Sequence, residues 1–153
     1  QRGAAAHRDR RLAQARAGAF DHWGETAEGA LGLVILLDQV SRNVHRGSPL
    51  AFAADAKALA LARTWIGMGY HQKLVAPRAI WLLMPFEHAE DLDAQQRCVA
   101  LFRTMGLSEM AHWAQVHLDI IARFGRFPHR NAVLGRASTP AEIAFLKAGG
   151  FAG

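Results

Sequence analysis

Apolar residues recur at three- and four-residue steps along most of this chain. The clearest series is formed by Leu33, Leu36, Leu37, Val40 and Val44. This spacing is typical of an α-helix with one apolar face. No segment shows sustained alternation of apolar and polar residues, and alanine is abundant while β-branched residues are few, which favours helices over strands. The pattern therefore predicts an all-α protein.

Capping residues and prolines indicate where the predicted helices begin. Thr26 is a favourable N-cap, and Ser48-Pro49 combines an N-cap with proline at the first helical position of a helix that should continue past Trp65. Thr139-Pro140-Ala141-Glu142 has the pattern of a capping box. We expect about six or seven helices, joined by short connections.

Proline and tryptophan positions lead to two further expectations. Pro85 should interrupt the helix that Pro77 opens, because an internal proline removes a backbone donor and clashes with the preceding turn. The residues expected in or near the core are Trp65, Trp81, Trp113, Leu33, Leu36 and Leu37.

Composition is consistent with one domain in a reducing compartment. The 153 residues are 51% hydrophobic and 20% charged, and the longest apolar stretch, Ala30–Leu37, is far too short for a membrane span. The single cysteine, Cys98, excludes an internal disulfide and is expected to be a buried thiol. We predict a single helical domain over residues 1–153, cytoplasmic and not bound to membranes. Because the chain starts at Gln1, we expect it to lack its native N-terminal segment.

The positive charge is concentrated at the beginning of the chain. Residues 1–16 carry +4 of the formal net charge of +5, so the remainder carries only +1. A face that binds a nucleic-acid duplex needs clustered basic residues. We therefore predict no nucleic-acid partner.

Polar residues on two apolar helices form the first candidate cluster. Asp38 and Arg42 are spaced i,i+4 on one helix face, and Asn43 and Arg46 lie on an adjacent row. Asp55 lies on the face that the next helix should bury, so it needs a partner, which Arg42 or Arg46 could provide. An exposed ion pair, a buried structural pair and part of a ligand site are all compatible with this pattern.

Glu87 and His88 form a second cluster after Pro85, with further carboxylates at Glu90 and Asp91. Paired carboxylates beside a histidine can perform general acid–base catalysis if burial separates their pKa values. They can equally be acidic residues at the start of a helix. The spacing lacks the two histidines of a helical zinc site, so we predict no metal and no cofactor.

The loop of residues 124–131 sets polar groups between aromatic rings. Its candidate ligand-binding residues are Arg126, His129, Arg130 and Asn131. Two arginines and a histidine could bind a phosphate or carboxylate. Alternatively, the arginines could hold the loop through bonds to carbonyls and carboxylates. No glycine-rich phosphate loop or nucleophile elbow accompanies them.

Several segments together resemble the bacterial domain-of-unknown-function 924 family. They are Leu36-Leu37-Asp38-Gln39, Arg42-Asn43, Arg46-Gly47, Ala51-Phe52-Ala53 with Asp55, Pro85-Phe86-Glu87-His88 with Glu90 and Gln95, residues 124–131, Leu134-Gly135-Arg136 and Ser138-Thr139. The resemblance covers about residues 28–148 in collinear order. It implies a tetratricopeptide-like, short right-handed superhelix of antiparallel helix pairs with no settled biochemical activity.

The resemblance also indicates motif positions and two departures. The motif positions are Asp38, Arg42, Asn43, Asp55, Glu87, His88, Arg126, His129, Arg130 and Asn131. Val40-Ser41 stands where the family more often has an aromatic residue and a proline, and the family's aromatic-rich N-terminal segment is absent.

Two function classes follow from these clusters, which we expect to converge on one concave surface. In the first, a helical scaffold uses its arginines to bind a small acidic ligand or peptide. In the second, His129 or His88 is the general base of a metal-independent hydrolase or other acid–base enzyme. The sequence favours binding, because no nucleophile–base pair is legible, and it does not indicate the oligomeric state.

Overall fold

The computed structural model describes the backbone of residues 2–153 and the side chains from residue 6 onward; Gln1 and the side chains of residues 2–5 lie outside the described residues. Helix accounts for 76% of the chain, and no strand occurs within residues 2–153. The all-α prediction is confirmed. The right-handed superhelix of antiparallel pairs stays a prediction.

The helical segments follow one another with short connections. The α-helices are α1 (Arg2–Arg16), α2 (Ala27–Ile35), α3 (Ser41–Val44), α4 (Asp55–Gly67), α5 (Tyr70–Lys73), α6 (Ala76–Glu87), α7 (Leu92–Thr104), α8 (Ser108–Phe124), α9 (Asn131–Leu134) and α10 (Pro140–Lys147). A π-helical turn, Leu36–Val40, joins α2 to α3. The 3₁₀ turns are Asp21–Glu25, Pro49–Phe52 and Pro128–Arg130. No helix within residues 2–153 has both the length and the apolar character that crossing a membrane requires.

The chain forms two compact units. The first unit comprises the residues up to Arg46 together with Leu50–Ala89, and the second comprises Gly47–Pro49 together with Glu90–Gly153. The single-domain organisation predicted from length stays a prediction.

The core of the first unit lies between α2, α4 and α6. Leu33 and Leu37 are completely buried, as is Phe86 on α6, and Trp65 is buried as predicted. The prediction for Trp81 is wrong, because 43% of this residue is exposed. Trp81 lies on the outer face of α6, so helical spacing alone did not identify the buried face.

The helix boundaries around α4 and α6 differ from prediction at two prolines. Helix α6 continues through Pro85 to Glu87, so the predicted interruption is wrong. A proline this close to the end of a helix removes only one bond of the last turns. Pro49 begins a 3₁₀ turn rather than the long helix, which starts at Asp55. The Thr26 side chain accepts a hydrogen bond from the Gly29 amide at 3.1 Å, as expected for an N-cap.

The second unit is built on α7 and α8, which pack extensively against each other. Gly106 connects them with a φ of +71°, a conformation that favours glycine. Cys98 is buried as expected and Phe127 is also buried, whereas 45% of Trp113 is exposed and its predicted core position is wrong. The capping box at the start of α10 is confirmed, with both Thr139 and Glu142 making their reciprocal bonds.

Candidate functional site

The π-helical turn Leu36–Val40 places Asp38 in the interior of the first unit. Its backbone remains helical, but the wider turn changes the direction of the side chains relative to a continuous α-helix. Asp38 is only 1% exposed. Such single turns occur often at functional sites.

Asp38 accepts hydrogen bonds from three side chains. Its Oδ1 lies 2.7 Å from Nδ1 of His88 and 2.9 Å from Nη1 of Arg42. Its Oδ2 lies 2.5 Å from Nε2 of Gln39. His88 approaches from the C-terminal end of α6, fifty residues away in sequence. A buried carboxylate needs such partners, since an unpaired buried charge is costly.

Arg42 connects Asp38 to the start of α4. Its Nη1 and Nη2 donate to the two carboxylate oxygens of Asp55 at 2.9 and 2.8 Å. The guanidinium also lies 5.5 Å from the ring centre of Phe52. The predicted tie between Asp55 and an arginine is confirmed, with Arg42 as the partner. Both charges are about one-fifth exposed, so the pair lies at the border of the buried region.

The electrostatics keep Asp38 ionised. Burial alone would raise the pKa of Asp38, but the hydrogen bond and positive charge of His88, followed by the charge of Arg42, lower it below its usual value. A carboxylate can only accept hydrogen bonds, so the Nδ1 of His88 carries the proton between them. In neutral His88 the second ring nitrogen, Nε2, then has the lone pair. The side chain of His88 is 19% exposed.

Glu87 is a second carboxyl group beside this pair. Only 7% of Glu87 is exposed. Burial, followed by the negative charge of Asp38, raises the pKa of Glu87 to about 7. Two carboxyl groups in one region thus differ in protonation near neutral pH, with Asp38 charged and Glu87 partly protonated. This separation is the arrangement that acid–base chemistry requires.

Asn43 and Arg46 lie on the exposed side of the same region. The Nη2 of Arg46 lies 3.3 Å from Oδ1 of Asn43, and both residues are exposed. Their predicted role in ligand binding stays a prediction.

In the second unit, Glu90 bonds to the loop of residues 124–131 and to Arg136, which follows that loop. Its carboxylate accepts two hydrogen bonds from Arg136, at 2.7 and 2.8 Å, and one from the Phe127 amide at 2.9 Å. Burial alone would raise the pKa of Glu90, but Arg136 and the Phe127 amide lower it below its usual value. The sequence indicated Glu90 as one acid in a cluster and as part of the family resemblance, but not its bonds to Arg136 and Phe127.

Glu142 holds the other end of this loop. It accepts hydrogen bonds from Arg126 at 2.7 and 2.9 Å and from the Asn131 amide group at 3.2 Å. Arg126 also donates to the Ala137 carbonyl at 2.7 Å. The hydrogen bonds from Arg126 and the Thr139 amide lower the pKa of Glu142 to about 2. The capping box revealed the local role of Glu142, but no sequence signal indicated its bonds to the loop.

Arg130 and His129 are packed among aromatic rings. Arg130 is 7% exposed and lies 4.6 Å from the ring centre of Phe127. The ring of His129 lies 5.7 Å from Phe127 and 5.4 Å from Phe151, and its Nδ1 is buried without a hydrogen-bond partner in the described part of the chain. Burial, followed by the charge of Arg130, lowers the pKa of His129 to about 4.

The predicted site residues therefore occupy two networks. Asp38, Arg42, Asp55 and His88 meet in the first unit, while Arg126 and Asn131 meet in the second. The convergence of all the polar clusters on one surface stays a prediction. From residue 6 onward, no group of three or more histidine, cysteine or acidic side chains is arranged to hold a metal ion.

Comparison with known proteins places the chain in a family. A family model described as a bacterial protein of unknown function, DUF924, matches residues 4–150. The structure is similar to a solved structure of a protein of unknown function from Agrobacterium tumefaciens, with a TM-score of 0.82 and 39% sequence identity over 94% of this chain and 85% of that one. No curated protein matches. The chain belongs to the DUF924 family of bacterial proteins of unknown function.

Proposed function

We propose that this protein is an acid–base enzyme in which His88 transfers a proton and Asp38 positions its ring. The observation that carries the proposal is the 2.7 Å hydrogen bond between Nδ1 of His88 and Oδ1 of the buried Asp38. A histidine held by a buried carboxylate has one tautomer and one orientation, and the carboxylate stabilises the imidazolium that forms. Arg42 and Gln39 hold Asp38 in turn.

His88 is better suited to this role than His129. His88 is bonded to an ionised carboxylate and retains some exposure to solvent. His129 lies among aromatic rings, and burial and the charge of Arg130 lower its pKa to about 4. A base near neutral pH must be able to hold the proton that it accepts, so the low pKa makes His129 a poor proton acceptor.

The arginine contacts favour an enzyme over a simple binder of acidic ligands. Arg42 already bonds to two carboxylates, and Arg126 bonds to Glu142. An incoming carboxylate or phosphate would have to compete with these internal anions. Binding of a small acidic ligand or peptide is the second candidate, and it is supported by the basic residues Arg126, His129 and Arg130 that the loop of residues 124–131 brings together.

In the proposed reaction, Nε2 of His88 accepts a proton from water while the oxygen of that water attacks the substrate. The imidazolium then returns the proton to the leaving group. We assign water as the nucleophile and not Ser41, three residues after Asp38, because the hydroxyl of Ser41 is buried and donates its hydrogen to the Leu50 carbonyl at 3.3 Å. Glu87 provides a second proton near this site, since its pKa of about 7 leaves it partly protonated at neutral pH.

We also propose that the protein works in the cytoplasm without a nucleic-acid partner. The one cysteine of the sequence, Cys98, is buried, so the fold does not depend on an oxidising compartment. The nearly neutral charge of residues 17–153 is consistent with a small-molecule substrate.

The experiment is a hydrolase screen of the protein with panels of carboxylic esters, amides and phosphoesters. For any substrate found, His88→Gln should lower kcat/KM by about 10²–10⁴-fold, the usual contribution of a positioned acid or base. Asp38→Asn should cause a comparable loss because the amide no longer fixes the ring. His112→Gln, at an exposed histidine on α8, is the matched control and should leave activity unchanged. Full activity in His88→Gln would contradict the proposal.

A further inference from the structure

A cavity of about 280 Å³ lies in the first unit between α1, the 3₁₀ turn Asp21–Glu25 and the π-helical turn. Its inner wall is apolar. Phe20 and Trp23 stack there with ring centres 5.0 Å apart, and Leu36 and Val40 complete the wall. This volume is just below the usual range for small-molecule sites, so it would hold a compact ligand.

Three basic side chains from α1 line the same cavity. They are His7, Arg8 and Arg11, and the guanidinium of Arg11 lies 5.7 Å from the ring centre of Phe20. Neither Arg8 nor Arg11 has a carboxylate partner among the described residues, whereas Arg42 bonds to two carboxylates and Arg78 bonds to one.

The acidic residue closest in sequence does not neutralise this site. Asp9 lines a neighbouring cavity, together with Arg8, and its Oδ1 lies 3.9 Å from Nε2 of His45. The cavity itself has no acidic residue in its lining. It therefore combines an aromatic interior with an excess of positive charge at its edge.

We propose that this cavity binds a small organic anion with an aromatic body, such as an aryl carboxylate or aryl phosphate. The ring would pack against the apolar wall of the cavity, and the anionic group would lie at its edge, where the exposed side chains of Arg8 and Arg11 can turn toward it and donate hydrogen bonds. Neither an inorganic anion nor a neutral aromatic compound would satisfy both parts of the site.

This site is distinct from the one that contains His88. Leu36 and Val40 each lie two residues from Asp38, and residues two apart project from different faces of a helix. Leu36, Val40 and Asp38 thus belong to the same helical turn, but their side chains face different regions of the first unit. The inference does not depend on the proposed enzymatic activity.

The experiment measures binding of phenyl phosphate to the full chain, followed through the indole N–H resonance of Trp23. A Trp23→Phe variant assigns that resonance among the four tryptophans of the sequence. We expect phenyl phosphate to shift the resonance and to bind at least about tenfold more tightly than inorganic phosphate or benzyl alcohol, because each contains only half of the recognised chemistry.

Two arginine variants and a control test the basic edge. Arg11→Ala and Arg8→Ala should each weaken phenyl phosphate binding by about tenfold, the cost of one charge-assisted hydrogen bond. Arg10→Ala removes the same charge from an exposed position of α1 that does not line the cavity, and it should change binding little.

Four results would overturn the inference. They are equal binding of inorganic phosphate, equal binding of benzyl alcohol, an equal loss in Arg10→Ala, and no shift of the Trp23 resonance at millimolar phenyl phosphate. The comparison of the three probes uses the unmodified protein, so it decides the question even if a variant fails to fold.

Discussion

Lowering the pH from 7 to 4.5 should destabilise the protein through His129. Its ring lies between Phe127 and Phe151, at 5.7 and 5.4 Å from their ring centres. Burial, the charge of Arg130 and the neighbouring His117 lower the pKa of His129 to about 4, and only Glu90 among the contributing groups opposes this shift. Protonation of His129 in the folded state would place a cation in an aromatic cluster.

The size of the effect follows from the difference between the folded and unfolded pKa values. The unfolded chain takes up the His129 proton near pH 6.5 and the folded chain only near pH 4. The unfolded state therefore binds more protons between these values, and stability is lost as the pH falls through this interval. The unscreened limit from pH 7 to 4.5 is about 2.5 kcal/mol. Because the ring is partly exposed, solvent screening should reduce the effect to about 1–2 kcal/mol.

A matched variant separates His129 from the other groups that titrate in this range. Glu87 acts in the opposite direction, since its raised pKa makes the folded state bind more protons between pH 4.5 and 7. His129→Phe retains an aromatic ring and removes only the titration. Its pH dependence still contains the Glu87 contribution, which cancels when the variant is compared with the unmodified protein.

Urea denaturation followed by circular dichroism at pH 7.0 and 4.5 measures the effect. At pH 7.0, His129→Phe should be at least as stable as the unmodified protein, because it also removes the buried Nδ1 that lacks a partner within the described residues. At pH 4.5, it should be more stable by a further 1–2 kcal/mol or so. The same pH dependence in both proteins would refute the reasoning and show that His129 is not buried as a neutral ring.

Three further predictions concern the charged networks. Arg42→Met should cost about 3 kcal/mol in urea denaturation, because it removes the cation that bonds to both Asp38 and Asp55, and the exposed Arg46→Met should cost less than about 0.5 kcal/mol; equal losses would contradict the structure. The free energy of unfolding of Glu87→Gln, relative to that of the unmodified protein, should increase by about 2–3 kcal/mol as the pH rises from 4 to 8, because the raised pKa of Glu87 means that the unmodified protein loses stability as the pH rises from 4.5 through 7. A difference that stays constant with pH would exclude a protonated Glu87. Arg136→Ala should speed hydrogen exchange at the Phe127 amide, because Arg136 holds the Glu90 acceptor of that amide in place; unchanged protection would show that Glu90 is held by other contacts.

The sequence predicted the helical class and parts of the first network because these depend on local spacing. The i,i+4 pair Asp38–Arg42 and the position of Asp55 on a buried face were enough to predict their ion pairs. The exposed positions of Trp81 and Trp113 were missed, since helical periodicity marks a face but does not identify its neighbours.

Other features were outside the reach of sequence reasoning for physical reasons. The residues of the π-helical turn have ordinary helix-forming character, so nothing in them distinguishes a wider turn. The bond between Asp38 and His88 joins residues fifty positions apart, and its formation depends on how α6 packs against α2. Glu142 was visible as a helix cap but not as the acceptor for Arg126.

The most direct test of the central claim is the protonation of the two ring nitrogens of His88. Long-range ¹H–¹⁵N spectra of the ¹⁵N-labelled protein, with His88→Gln for assignment, distinguish the two neutral tautomers. We predict a proton on Nδ1 and none on Nε2 at a pH where the ring is neutral, and a mixture of tautomers in Asp38→Asn. A proton on Nε2 in the unmodified protein would contradict the account, because Asp38 would then not hold His88 as a base.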